Sequence, residues 1–111
     1  MSFFRTASDI RVDDGHILVA NVANEEGEMV ESTLDLNSCI GNEEGRFLWG
    51  GNDFAGSAED ISFAIEGEDN VPVLRARLQN SEGELFDADV NLGEHVTNNN
   101  GTLEYQEESL L

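Results

Sequence analysis

The sequence predicts an all-β protein made of two quasi-equivalent halves, each with a short sheet, a β-hairpin and single helical turns. Three observations lead there. The chain repeats itself in tandem, its apolar residues fall in short β-rich runs between Asn- and Gly-containing turns, and no stretch is patterned as a helix of three turns.

The repeat has two registers. Residues 3–12, FFRTASDIRV, align with 54–63, FAGSAEDISF, at a shift of 51, matching at Phe3/Phe54, Ala7/Ala58, Asp9/Asp60 and Ile10/Ile61. Residues 18–49 align with 74–105 at a shift of 56 without a gap. Nine of those 32 positions are identical: Leu18/Leu74, Ala20/Ala76, Asn24/Asn80, Glu26/Glu82, Gly27/Gly83, Glu28/Glu84, Leu36/Leu92, Asn42/Asn98 and Gly45/Gly101. Ordinary residue frequencies would give roughly two. The change from 51 to 56 places a five-residue insertion in the second copy, around Ile65 to Pro72.

Each copy reads the same way in order. Thr6-Ala7-Ser8-Asp9 and Ser57-Ala58-Glu59-Asp60 place an acid three residues after a hydroxyl, a capping pattern expected to open a short helical turn. Ile17 to Ala23 and Val73 to Leu78 are β-rich runs. Asn24 to Gly27 and Asn80 to Gly83 are hairpin loops with glycine where positive φ is wanted. Met29 to Leu36 and Leu85 to Leu92 return as partner strands, and single helical turns follow at Leu36 to Ile40 and Leu92 to Val96. Asn42 to Gly45 and Asn98 to Gly101 turn the chain into final strands on which Phe47/Trp49 and Leu103/Tyr105 share a face. The total is about ten short strands. Gly50-Gly51 lies between the copies as a hinge, and residues 107–111 read as a tail. A copy of some fifty residues buries little alone, so each half is expected to borrow strands from the other.

Composition narrows the function. One domain is expected from 111 residues, and the net charge of −19 would repel phosphate backbones and anionic lipid, so neither nucleic acid nor membrane is an expected partner. Cys39 is the only cysteine, so no internal disulfide forms, which suits a reducing compartment. No signal segment and no run of about 18 apolar residues is found, giving a cytoplasmic or non-classically exported chain. His16 and His95 lack partners at zinc-ligand spacing, and the acidic loops lack the alternating ligands of a calcium site, so no metal or cofactor is expected. His95 and Cys39 read as structural, Cys39 as buried filler. Among 24 acidic residues no pair is set apart by an apolar environment, so catalysis is not expected.

LDLNSCIGNEEGRFLWGGNDF together with VNLGEHVTNNNGTLEY resembles the cyanovirin-N homologue (CVNH) family of mannose-binding lectins, over residues 1–106. The absence of paired cysteines is similar to its fungal branch. Ala7, Val22, Ala58 and Leu78 stand at the family's usual cysteine positions. The resemblance implies an elongated lobe pair, the first lobe from about 1–39 plus 95–106 and the second from about 40–94. It also implies non-catalytic binding of Manα1,2Man termini by a monomer.

Two pockets are implied. The first would be lined by Ser2, Arg5, Thr6, Asn24, Glu25, Asn98, Asn99 and Asn100, with Ala23 where the family has a glutamate. The second would use Asn42, Glu44, Asn52, Asp53, Ser57, Gln79, Asn80 and Ser81, with Gly56-Ser57 where a well-furnished pocket has Glu-Thr. Losing that glutamate removes a charge-assisted acceptor, so one weak pocket, the first, is favoured. The alternative from a different class is an acidic protein-interaction module that keeps the fold without binding sugar.

Overall fold

The structure is a computed structural model in which residues 3–110 are described. Each half begins with a 3₁₀ turn, Phe3–Thr6 or Phe54–Ser57, whose phenylalanine is fully buried. In the first half there follow β1 (Ala7–Asp13), β2 (Ile17–Ala23), β3 (Met29–Asp35), a 3₁₀ turn Leu36–Ser38, β4 (Ile40–Glu43) and β5 (Arg46–Trp49). In the second come β6 (Ala58–Glu66), β7 (Val71–Gln79), β8 (Leu85–Asn91), a 3₁₀ turn Leu92–Glu94, β9 (Val96–Asn99) and β10 (Thr102–Tyr105).

Antiparallel sheets β1-β2-β3 and β6-β7-β8 form the two ends of a body measuring 50 × 25 × 25 Å. The hairpins trade places: β9–β10 packs on β3, and β4–β5 packs on β8. On the first side the Leu103 N–H donates to Ser32 Oγ at 3.0 Å. The core is one contiguous cluster built of twins, Phe3/Phe54, Leu18/Leu74, Leu36/Leu92 and Ile40/Val96. Trp49 and Tyr105, twins 56 residues apart, stack with ring centroids at 6.0 Å and His95 beside them, its Nδ1 at 2.8 Å from the Gln106 carbonyl. Cys39 is 2% exposed, and burial pushes its thiol up to about 11. Gly50-Gly51 is held tightly: a Cβ on Gly51 would lie 2.9 Å from the Gly41 backbone.

Two devices close this fold without disulfides. Ala7 lies directly opposite Val22, and Ala58 opposite Leu78, so apolar pairs occupy the cross-strand positions where the resemblance implies cysteines. Asp35 and Asn91 cap the internal 3₁₀ turns by accepting the Asn37 N–H at 2.9 Å and the Gly93 N–H at 2.8 Å. His16 Nδ1 sits 2.9 Å from Asp35 Oδ1, and that bond, against a smaller burial cost, holds the Asp35 carboxyl below its usual range.

The capping pattern is corrected by the structure. Thr6 and Ser57 end helical turns rather than start them, and strands begin at Ala7 and Ala58. Thr6 Oγ1 donates back to the Phe3 carbonyl at 3.4 Å, while Asp9 and Asp60 adopt φ of 52° and 54° at matching bulges in β1 and β6. A helix needs right-handed residues after its cap, and the left-handed aspartates send the chain into sheet pairing instead. The other helical turns are shorter than expected, because Ile40 and Val96 already pair as strands.

The insertion lengthens one hairpin. β1 and β2 close on the pair Asp13↔Ile17, whereas β6 and β7 add the pairs Ile65↔Pro72 and Glu66↔Val71 before the turn at 67–70. Pro72 is tolerated because β7 has outrun β8 there: the β7–β8 register begins at Val73↔Asn91. Residues 107–110 form no regular structure, but the Leu110 N–H returns to the Glu94 carbonyl at 2.8 Å.

Candidate functional site

The far ends of the two sheets carry matching side-chain constructions, each centred on one asparagine. In the first lobe Asn98 Nδ2 donates to the Ala23 carbonyl at 2.7 Å and to Thr6 Oγ1 at 3.3 Å, while Asn98 Oδ1 accepts the Gly101 N–H at 2.9 Å. One amide therefore ties the 3₁₀ turn, the end of β2 and the β9–β10 turn together. Its twin Asn42 repeats the arrangement, donating to the Gln79 carbonyl at 2.7 Å and to Ser57 Oγ at 2.8 Å and accepting the Gly45 N–H at 2.9 Å. Both asparagines are clamps whose donors are spent within the protein; only oxygen lone pairs remain for a ligand.

A second contact latches each hairpin loop. Asn100, at φ 49°, accepts the Glu25 N–H on its Oδ1 at 2.8 Å. Its twin Glu44, at φ 50°, accepts from Ser81 Oγ at 3.0 Å. Each is followed by a positive-φ glycine under a neighbour: a Cβ on Gly45 would meet Phe86 at 2.6 Å, and one on Gly101 would meet Asn24 Cβ at 3.2 Å. The loops themselves are self-capped, since Asn24 Oδ1 accepts from the Glu26 and Glu28 N–H groups and Asn80 Oδ1 from those of Glu82 and Glu84.

The twins differ in what they leave for a ligand. In the first lobe the Asn100 amide nitrogen has no protein partner among the described residues, while its oxygen holds the backbone of the exposed Glu25. In the second lobe the same place holds a carboxylate, and the Ser81 hydroxyl proton is already donated to it. At the latch itself, Asn100 therefore keeps an amide donor where Glu44 has only carboxylate oxygens.

The remaining expected contacts distribute as follows. Asn99 Nδ2 bonds to Glu104 Oε1 at 3.2 Å on the neighbouring strand and is not joined to the Asn98 cluster. Arg5 has its guanidinium carbon 5.4 Å from the Phe4 ring centroid and lines a cleft with Phe4, Ala7, Glu68, Asp69 and Asn70. Asp53 is left-handed at φ 58° with its carboxylate over Gly56, and its N–H donates to the Asn37 carbonyl at 2.8 Å, placing it beside the 3₁₀ turn. Asn52 is exposed next to it. Ser2 lies outside the described residues. Among the described residues no group of three or more His, Cys, Asp or Glu side chains converges as a metal site.

The clamp's dual role was not evident from the sequence, although the identity of Asn42 with Asn98 across the repeat was its signal.

Comparison with known proteins bears on this duplicated clamp. Residues 3–104 match the CVNH domain. A cyanovirin-N homologue of Neurospora crassa is 47% identical over 105 residues, 91% of this chain and 95% of that protein. This chain belongs to the cyanovirin-N homologue family. The Gibberella zeae CVNH structure superposes with a TM-score of 0.89 at 50% identity, over 93% of this chain and 95% of that one. A microvirin:mannobiose complex aligns with a TM-score of 0.83 at 28% identity, over 94% and 97% of the two chains. Against the cyanovirin-N homologue fold, the clamps and latches described above occupy equivalent ends of its two lobes.

Proposed function

We propose that this cyanovirin-N homologue is a non-catalytic lectin, monomeric, that binds α1,2-linked mannose termini through the first-lobe cluster of Thr6, Asn24, Glu25, Asn98 and Asn100. The observation that carries this reading is the Asn100 amide nitrogen, left without a protein partner among the described residues while its oxygen holds the Glu25 N–H, on a scaffold fixed by the Asn98 clamp. A sugar hydroxyl donates and accepts at once, so neighbouring groups of opposite role match a vicinal diol. The microvirin complex with mannobiose supports the ligand class.

Binding is weak in this account. Three or four hydrogen bonds at about 0.5–1.5 kcal/mol each total roughly 1.5–6 kcal/mol, against about 4 kcal/mol for a Kd of 1 mM, and the cost of association keeps binding at millimolar or weaker. Calorimetric titration of α1,2-mannobiose should give one site per chain, and Asn100→Ala should weaken it severalfold. Absence of heat together with capture of a salt-sensitive, mannose-indifferent protein partner would replace the lectin reading with the acidic interaction module.

A further inference from the structure

The two exchanged hairpins meet their neighbouring sheets along twinned seams, and the seams differ at one hydrogen bond. In the first lobe the Leu103 N–H on β10 donates across to Ser32 Oγ on β3 at 3.0 Å. Fifty-six positions away, the counterparts of Leu103 and Ser32 are Phe47 on β5 and Ala88 on β8. The hairpin registers Asn98↔Leu103 and Asn42↔Phe47 are equivalent, so the Phe47 N–H also points out of its hairpin toward β8. Alanine has no hydroxyl to meet it, and among the described residues this donor has no partner. Here the seam opens into a cleft of about 340 Å³ between Phe47 and Trp49 on one side and Asp87, Ala88 and Asp89 on the other, with Glu94 at its edge. That volume lies within the range of about 300–1,000 Å³ for small-ligand sites. Trp49 brings a second unmet donor, since its indole Nε1 is buried and has no partner.

The charges around the cleft select a ligand. Asp89 and Glu94 stand where the first lobe has Thr33 and Ser38. Asp87 lies 3.7 Å from Arg77, whereas Glu94 has no ion-pair partner among the described residues. Arg46, the one cation lining the cleft, pairs with Glu43 at 3.4 Å. The cleft therefore repels an anion and attracts a cation. Among the described residues no three acids converge as a metal site, so the spread of carboxylates suits an organic cation better than a bare metal ion. The unmet N–H of Phe47 calls for an acceptor on the same molecule. An ammonium group flanked by hydroxyls answers both demands: a hydroxyl oxygen accepts from Phe47, and the ammonium donates to Asp89 and Glu94 in charge-assisted bonds.

We propose that the cleft between β5 and β8 is a ligand site of its own, which takes a protonated amino sugar held by the Phe47 N–H, Asp89 and Glu94 against the aromatic wall of Phe47 and Trp49. None of these four residues belongs to the Asn98 or Asn42 cluster, so the site stands independently of the lectin reading. The first lobe has no counterpart, because Ser32 occupies the equivalent donor.

The test is a titration of the ¹⁵N-labelled full chain with glucosamine at about pH 6, where its amine is protonated. N-acetylglucosamine at matched ionic strength is the control, since it keeps the ring hydroxyls and loses the charge. Glucosamine should move the Phe47 amide and the Trp49 indole N–H together and saturably, and the acetylated sugar should bind at least about tenfold more weakly for want of a charge-assisted bond. Trp49 is the only tryptophan, so its fluorescence follows the same event. Ala88→Ser, which supplies the first lobe's hydroxyl, should weaken glucosamine binding about tenfold by occupying the Phe47 N–H. Asp89→Asn/Glu94→Gln should bring the two sugars to about equal affinity. Equal affinities in the unaltered chain, unchanged glucosamine binding in Ala88→Ser, unmoved signals at Phe47 and Trp49, or shifts confined to the clusters around Asn42 and Asn98 would each overturn the site.

Discussion

Replacing Asn98 with alanine should destabilise the protein by about 2–3 kcal/mol. The substitution deletes two donated bonds and one accepted bond. Thr6 is exposed, so its hydroxyl recovers a bond from water at little cost. The Ala23 carbonyl and the Gly101 N–H lie in part-buried bonds, and each should lose about 1–1.5 kcal/mol. For a domain near 100 residues this corresponds to a fall in Tm of roughly 10–15 °C. Asn98→Asp should be no milder, since it keeps the acceptor for Gly101 but sets a carboxylate oxygen against the Ala23 carbonyl. The neighbours give the comparison. Asn99→Ala loses one exposed bond to Glu104 and should cost under about 0.5 kcal/mol. Asn100→Ala loses the latch to Glu25 and puts a poorly tolerated alanine at positive φ, for about 1–2 kcal/mol. Urea unfolding of the three variants measures the order directly. Equal effects at 98 and 99, or a cost below about 0.5 kcal/mol at 98, would refute the clamp.

The directly opposed pairs Ala7↔Val22 and Ala58↔Leu78 should each accept a disulfide when both members are changed to cysteine, because antiparallel Cα separations of about 4.5–5.5 Å lie in the allowed window. Oxidised against reduced, the 7–22 variant should gain about 3 kcal/mol for closing its loop, and unchanged unfolding midpoints would contradict that register. Asp35, whose carboxyl is held low by His16, contributes stability above its unfolded value of about 3.9, and this is lost as pH falls through the lowered folded value. Its side chain is half exposed, so the effect is modest; Asp35→Asn, the cap already used at Asn91, should flatten the acid limb of stability against pH, and an identical limb would contradict the pairing. The Cys39 thiol, pushed up to about 11, should react with a disulfide reagent at pH 8 only after unfolding, and fast reaction of the native chain would place it elsewhere.

The repeat made most of the architecture legible. Identities such as Leu36/Leu92 and Gly45/Gly101 marked core and turn positions twice, which a single copy could not have done. Misreading began where local chemistry is ambiguous. A hydroxyl followed three residues later by an acid suits a helix start, and only the sheet partners of Ala7 and Ala58 decide against it. At the site, Asn98 and Asn100 belong to the same cluster, yet their roles differ: one spends its amide on the fold, while the other leaves it free. That division depends on which carbonyls lie within 3 Å across the lobe, and residue spacing carries no such information. That the second copy's insertion reaches Phe4, Arg5 and Ala7 was likewise invisible, because the contact arises only through tertiary packing.

The central claim, that the first-lobe cluster is where sugar binds, is tested most directly by a chemical-shift map of the ¹⁵N-labelled chain with α1,2-mannobiose. The amides of Thr6, Glu25, Glu26 and Asn98 to Gly101 should move together and saturate at millimolar sugar, with those of Asn42 to Gly45 and Ser81 still. Movement confined to Asn42, Glu44 and Ser81, or no movement at either end, would contradict it.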